Sequence, residues 1–115
     1  MAEVKLVDSP DTVLVVSDGD IDEAAAKYPF LIVDCWAEWC GPCLMLGPIV
    51  ETLAGKLKGE IVFAKLDVES SPQTASKYGI RSIPNLMVFK DGRKVGDIVG
   101  AMPEDKLMER INTFK

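Results

Sequence analysis

Val33-Asp34-Cys35-Trp36-Ala37-Glu38-Trp39-Cys40-Gly41-Pro42-Cys43 is the stretch on which the reading of this chain turns. It leaves an almost continuously apolar run, residues 31–36, of the kind expected of a central strand buried on both faces. It enters residues 42–57, where Leu46, Ile49, Val50, Leu53 and Leu57 recur at helical spacing. A strand therefore delivers the chain straight into two cysteines at the start of a helix. At i and i+3 across a helix start, their Cβ atoms lie about 5–6 Å apart, and a small adjustment brings them into disulfide range. Such a pair can open and close with little backbone movement. Gly41 permits an unusual backbone angle, and Pro42 is pre-set for the first helical turn, where its missing N–H is no loss. Unpaired N–H groups and the positive end of the helix dipole at that turn favour a thiolate on Cys40 over a thiol.

Outward from this junction, strand-like and helix-like stretches alternate with no long linker and no repeat, an order that reads as α/β with a sheet covered on both faces. Residues 13–16 are a short β-branched run. Asp20, with Glu23 three residues on, carries a capping-box signature for a helix over residues 24–28. A second buried strand spans 61–66, and Ser71-Pro72 starts a helix that runs towards Tyr78. Residues 85–90 and 93–99 pair across Asp91-Gly92 as a hairpin. Pro103, with Glu104 and Asp105 in the first turn, opens a terminal helix towards Phe114. Residues 1–10 read as an extended N-terminal segment without an assigned place in the sheet, and residues 1–115 as one domain.

Composition narrows the chemistry. With 115 residues, 48% of them hydrophobic, the chain can build a core without a disulfide framework. Thirteen basic residues against 18 acidic ones give a net charge of −5, with the signs interspersed, which argues against nucleic-acid binding. No apolar run approaches the ~18 residues of a membrane span, and nothing reads as a signal peptide. The absence of histidine excludes Ser-His and Cys-His nucleophiles, His-ligated metals and histidine pH switches. Any proton shuttle must be a carboxylate, a lysine or a thiol. Three cysteines is an odd number and no Asn-x-Ser/Thr acceptor occurs, so the expected compartment is a reducing cytosol. A bare Cys-x-x-Cys can also be half of a zinc site, completed by dimerisation, or two inert core thiols. Zinc wants four ligands and only Cys35 stands beyond the pair, and the Gly-Pro insert at a helix start counts against both readings.

The segment quoted at the outset resembles the active-site segment of the thioredoxin family. The resemblance runs from about Val13 to the end and includes Pro48, Ala64-Lys65-Leu66-Asp67, Ile83-Pro84, Asp91-Gly92 and Val99-Gly100-Ala101. It implies an α/β thioredoxin fold, a central mixed sheet flanked by helices on both faces, and reduction of protein disulfides by dithiol–disulfide exchange. It implies Cys40 as attacking thiol and Cys43 as resolving thiol, with no cofactor or metal beyond their own disulfide. Trp39, Gly41, Pro42, Ile83, Pro84, Gly100 and Ala101 are expected to line the groove where a substrate segment docks. The implied partners are a thioredoxin reductase and disulfide-containing proteins, met by a monomer in the cytoplasm. A family-sized lowering of the Cys40 pKa, from about 8.5 to about 7, raises the thiolate fraction at pH 7 from about 3% to about half. Because nucleophilicity falls with pKa, the net gain is only about threefold, and the proximity of Cys43 to the mixed disulfide is the larger effect. A disulfide oxidase or isomerase of the same fold, or a binding module that uses the groove without its thiols, are the alternative readings.

Asp34 is a carboxylate in an apolar strand, where desolvation raises the pKa and Lys65 on a neighbouring strand opposes the rise. It is the candidate acceptor for the Cys43 proton; the plainer reading is a buried carboxylate paired with Lys65. Residue statistics alone make Ile83-Pro84 trans, since about 5–6% of X-Pro bonds in folded proteins are cis. The family holds the matching bond cis beside the cysteines. Pro48 is expected to interrupt and kink its helix, with Gly47 easing the bend. Three residues depart from the family pattern: Cys35 in place of a large apolar side chain, Leu44 where a basic residue often follows the second cysteine, and Asn85 in place of threonine after the proline. Strand alternation points Cys35 away from Asp34, into the core of the opposite face.

Overall fold

The computed structural model describes residues 6–7 and 10–115. Five strands and four helices alternate: β1 (Leu14–Val15), α1 (Ile21–Lys27), β2 (Phe30–Trp36), α2 (Gly41–Lys56), β3 (Val62–Asp67), α3 (Pro72–Lys77), β4 (Asn85–Lys90), β5 (Arg93–Val99) and α4 (Glu104–Asn112). The strands form one sheet in the order β1-β3-β2-β4-β5. β3 pairs in parallel with β1 and β2, while β4 runs antiparallel to β2 and β5, so the sheet is mixed and β2 is its centre. This is the thioredoxin fold. Most of the segment expected to be extended and unplaced, residues 1–5, 8 and 9, lies outside the described residues.

Alternation along β2 sorts its side chains to two cores. Phe30 and Ile32 join Phe63, Leu86, Val88 and Ile98 under Leu46, Val50 and Leu53 of α2 and Leu107 and Ile111 of α4. Leu31, Val33 and Cys35 join Ala64, Leu66, Met87 and Phe89 under Ile21, Ala24 and Ala25 of α1, with Tyr78 and Ile80 after α3 at the margin. Cys35 thus sits on the face opposite Asp34, as strand alternation requires.

Helix starts differ in detail from the sequence reading. Asp20 is the N-cap of α1, but its side chain makes no cap hydrogen bond; it accepts instead from Ser17 N and Ser17 Oγ at 3.0 and 2.8 Å. The capping box therefore does not form, and a local Ser17–Asp20 turn takes its place. At α3, Ser71 is the N-cap and Pro72 the first residue, but Asp18 supplies the cap: its carboxylate accepts from Gln73 N at 3.2 Å and Thr74 N at 2.7 Å. Ser71 Oγ in return accepts from Asp18 N at 3.2 Å. Pro103 occupies the N-cap of α4. α2 continues through Pro48, and Thr52 Oγ1 donates to the Pro48 carbonyl at 3.0 Å. In the hairpin, Asp91 and Gly92 both have positive φ, 52° and 86°, the combination a two-residue turn between twisted strands demands. Pairing shifts between Val88 and Phe89, leaving Val95 as the extra residue on β5.

Candidate redox site

β2 ends at Trp36, and one tight turn, with Cys40 N donating to Ala37 O at 3.1 Å, carries the chain into α2. Cys40 is the N-cap of that helix and Pro42 its second residue. The Cys43 N–H, one of the donors that an N-terminal turn leaves without a backbone acceptor, points at Cys40 Sγ at 3.2 Å. Cys40 and Cys43 are joined as a disulfide with their Cα atoms 5.2 Å apart. Both are nearly buried and pack with Ala37 against Trp36, Val68 and Ile83. The pair therefore closes within a single helical turn, and the sulfur at the helix N-terminus sits where a donor and the dipole stabilise negative charge.

Gly41 does not use a special conformation. It lies outside the residues of positive φ, and a Cβ there would meet nothing within 4 Å. The freedom that glycine permits is not drawn on here, and Gly41 and Pro42 are exposed residues of the first turn of α2.

A second loop faces the cysteines. The Ile83-Pro84 peptide bond is cis, and the Ile83 carbonyl oxygen lies 3.8 Å from Cys40 Sγ. Gly100 N donates to Pro84 O at 2.9 Å with φ of 98°, which ties the end of β5 and the following Ala101 to this loop. Ile83, Pro84 and Gly100 are thus brought to the disulfide from sequence positions 40 to 60 residues away. Trp39 adjoins by chain and is 69% exposed, yet its indole Nε1 donates to Glu69 Oε1 in the loop after β3. Nothing in the sequence pattern singled out Glu69, because the contact joins two loops 30 residues apart.

Asp34 shares the α2-covered face of β2 and stands opposite Lys65 in the parallel register. It is 4% exposed, and its Oδ1 has no hydrogen-bond partner among the described residues. Burial pushes its pKa up from the ordinary 3.8 to about 7, against the opposing charge of Lys65. Lys65 is half-buried, with its ammonium 5.4 Å from the centre of the Trp36 ring. On the other face, burial pushes the Cys35 thiol up to about 12, helped by the charges of Asp34 and Asp97 and opposed by Lys94. Cys35 is an inert core side chain at neutral pH. Asn85, its register partner on β4, is likewise buried, and its Oδ1 has no partner among the described residues. Among the described residues, no group of three or more His, Cys, Asp or Glu is placed to hold a metal ion, and no helix is long and apolar enough to cross a membrane.

A disulfide that opens and closes in one helical turn, held under a loop from across the sheet, defines a thiol–disulfide oxidoreductase whose redox centre is its own pair of cysteines. The thioredoxin family model matches residues 12–113. The chain is 48% identical over 81 residues to "Thioredoxin 2" of Chlorobaculum tepidum, covering 70% of this chain and 74% of that one. It is 46% identical over 100 residues to a thioredoxin of Staphylococcus epidermidis, covering 84% and 92%. Among solved structures, a single-substitution mutant of a thioredoxin from Halobacterium salinarum superposes with a TM-score of 0.83 at 40% identity, over 91% of this chain and 92% of that one. The chain belongs to the thioredoxin family, the protein-disulfide reductases that act through their own disulfide.

Proposed function

We propose that this protein is a cytoplasmic, monomeric thioredoxin of one domain that reduces disulfides in other proteins and is returned to the dithiol by a thioredoxin reductase. In the forward step, the Cys40 thiolate attacks one sulfur of the substrate disulfide. The substrate S–S bond breaks, its second sulfur leaves as a thiolate that takes a proton, and Cys40 is left in a mixed disulfide. Cys43 then gives its proton to Asp34 and attacks Cys40 Sγ. The mixed disulfide breaks, the Cys40–Cys43 bond forms, and the remaining substrate sulfur leaves as a thiolate that takes up a proton, so that two electrons have passed to the substrate, which departs as a dithiol. Lys65 tunes Asp34 by favouring its charged form, and Trp39, Gly41, Pro42, Ile83, Pro84, Gly100 and Ala101 form the surface that receives the substrate segment.

The observation that carries this reading is the Cys40–Cys43 disulfide across the first turn of α2, with the Ile83 carbonyl 3.8 Å from the Cys40 sulfur. A buried carboxylate with a pKa of about 7 on the face under α2 supports the assignment of the base, since it exchanges protons near neutral pH. The test is to trap the intermediate. Cys43→Ser leaves the attacking thiol without a resolving partner and is expected to accumulate mixed disulfides through Cys40 with disulfide proteins, while Cys40→Ser accumulates none. Equilibration of the native pair against glutathione decides the direction: a potential as oxidising as about −120 to −180 mV would sink the reductant reading. Asp34→Ala is expected to slow the Cys43 attack near neutral pH, and an unchanged resolution rate removes the base role.

A further inference from the structure

We propose that Met45 is a modification site beside the redox pair, oxidised by hydroperoxides to a sulfoxide that weakens the binding of protein disulfides and leaves the dithiol chemistry intact. The inference rests on the proposed function and adds a regulation of that same site. Met45 is 74% exposed, the most exposed large apolar side chain among the described residues. It stands two residues after Cys43 on α2, on the rim of a groove of about 320 Å³ that Leu46, Ile49, Ala101, Met102 and Pro103 complete. The other methionines among the described residues are graded in access: Met102 and Met108 are half-buried, and Met87 is sealed in the core. A peroxide oxygen must reach the sulfur itself, so the first attack falls on Met45.

In this step the thioether sulfur takes one oxygen atom from the hydroperoxide, the O–O bond breaks, and water or an alcohol leaves. The sulfur loses two electrons and the peroxide gains them. The cysteines meet the same oxidant differently. A Cys40 thiolate struck by peroxide becomes a sulfenic acid, which Cys43, with its Cα 5.2 Å away, attacks to expel water and restore the disulfide. Oxidation at the pair therefore ends in a form the cycle already contains. The sulfoxide at Met45 has no place in that cycle and accumulates until a methionine sulfoxide reductase removes it. Position makes the change felt. A protein bonded to Cys40 covers about 800 Å² of the surface around it, a disc of about 16 Å radius. At about 1.5 Å per residue along α2, Met45 lies about 7 Å beyond Cys40 and falls within that disc. There, oxidation replaces a flexible apolar group by a polar oxygen whose hydration a covering partner strips away. A small disulfide reaches Cys40 without covering Met45.

The test treats the disulfide form of the whole protein with hydrogen peroxide, so that no thiol of the redox pair competes, and maps the product by peptide mass spectrometry. A gain of one oxygen is expected at Met45 before Met102 and Met108, with Met87 unchanged. Once the disulfide is reduced again, kcat/KM of the treated protein towards the disulfides of insulin is expected to fall about fivefold, from the desolvation of one polar group. Its rate with the small disulfide cystine and its potential against glutathione are expected to stay the same. A methionine sulfoxide reductase should restore the insulin rate, and Met45→Leu, measured against its own untreated sample, should lose none. Oxidation that starts at another methionine overturns the inference, as does a Met45 sulfoxide that reduces insulin at the untreated rate. A loss that Met45→Leu shares, or one that extends equally to cystine, overturns it too, and in all these cases the dithiol chemistry stands. An untreated protein that fails to reduce insulin removes the proposed function itself, and the inference with it.

Discussion

Asp34→Ala is expected to stabilise the protein by about 3 kcal/mol above pH 8 and not at all at pH 4. The native carboxyl has a pKa of about 7, against an ordinary 3.8. Below pH 3.8, both folded and unfolded chains carry the proton and the group contributes nothing. Between the two values, the unfolded chain releases its proton while the folded one keeps it. The folded state then binds more protons, so stability falls as pH rises, by up to about 1.36 kcal/mol per pH unit. Above pH 7, both forms are ionised and the cost is constant. The gap between 3.8 and about 7 corresponds to about 4 kcal/mol. Alanine removes this cost at every pH and leaves a small cavity worth about 1 kcal/mol. Lys65 is half-buried and keeps access to solvent, so losing its neighbour adds little. The assay is guanidinium chloride unfolding of the oxidised native protein and variant by circular dichroism, at intervals from pH 4 to 8.5. All other titrating groups are common to both chains and cancel in the difference. The difference should cross zero between pH 4 and 5.5 and level off near pH 8. A difference that is flat across this range would refute the reasoning, because it would mean that Asp34 binds its proton equally well in the folded and unfolded states.

Lys65→Met removes the charge that opposes the rise at Asp34, so the Asp34 carboxyl should titrate above its native value of about 7, read by NMR of the carboxyl carbon. Asp18→Ala should cost about 1 kcal/mol at pH 7, because two N–H groups at the start of α3 lose their acceptor. Burial raises the Asp18 pKa, but the Thr74 and Gln73 hydrogen bonds outweigh it and hold the value below 3.8. That contribution is present above the unfolded value and fades as pH falls through the lowered folded one, so urea unfolding should find the variant and native protein converging in acid. Gly96→Ala should destabilise by about 1–3 kcal/mol, since its Cβ would lie 2.4 Å from Phe114 Cε1 and 2.7 Å from Cζ. Thermal unfolding checks it, and Gly96→Ala/Phe114→Leu should recover part of the loss.

The sheet was legible in the sequence where burial alone determines a segment. Residues 31–36 are apolar but for Asp34 because β2 is covered by helices on both faces, and the hairpin is legible because Asp91-Gly92 supplies the positive φ that its turn needs. What stayed hidden are contacts between loops. Asp20 and Glu23 have the spacing of a capping box, but a nearby Ser17 offers two donors and takes the carboxylate. The cap of α3 comes from Asp18, more than 50 residues earlier, and the partner of Trp39 is Glu69, 30 residues later. No periodicity encodes such pairings, because they depend on which loops the topology brings to one end of the sheet. The groove beside Met45 and Met102 belongs to the same class. Its residues read individually as core or surface, and only the approach of α2 to the start of α4 makes a cleft of them.

The two-residue period of β2 does more than build cores. Asp34 and Cys35 are neighbours in the chain, and alternation sends the carboxyl under α2 with its cysteine pair and the thiol into the core beneath α1. A slip of one residue in register would exchange them, placing a third cysteine on the face covered by α2 and a carboxylate in the cluster beneath α1. The register that prevents this is fixed on both sides, by Asp34 opposite Lys65 on β3 and Leu86 on β4. Separation also gives the two groups opposite reactivities from one cause. Burial raises both pKa values, but a carboxyl lifted to about 7 becomes a proton acceptor near neutrality, whereas a thiol lifted to about 12 loses its nucleophile. The same desolvation that suits Asp34 for proton transfer therefore keeps Cys35 out of the exchange between Cys40 and Cys43.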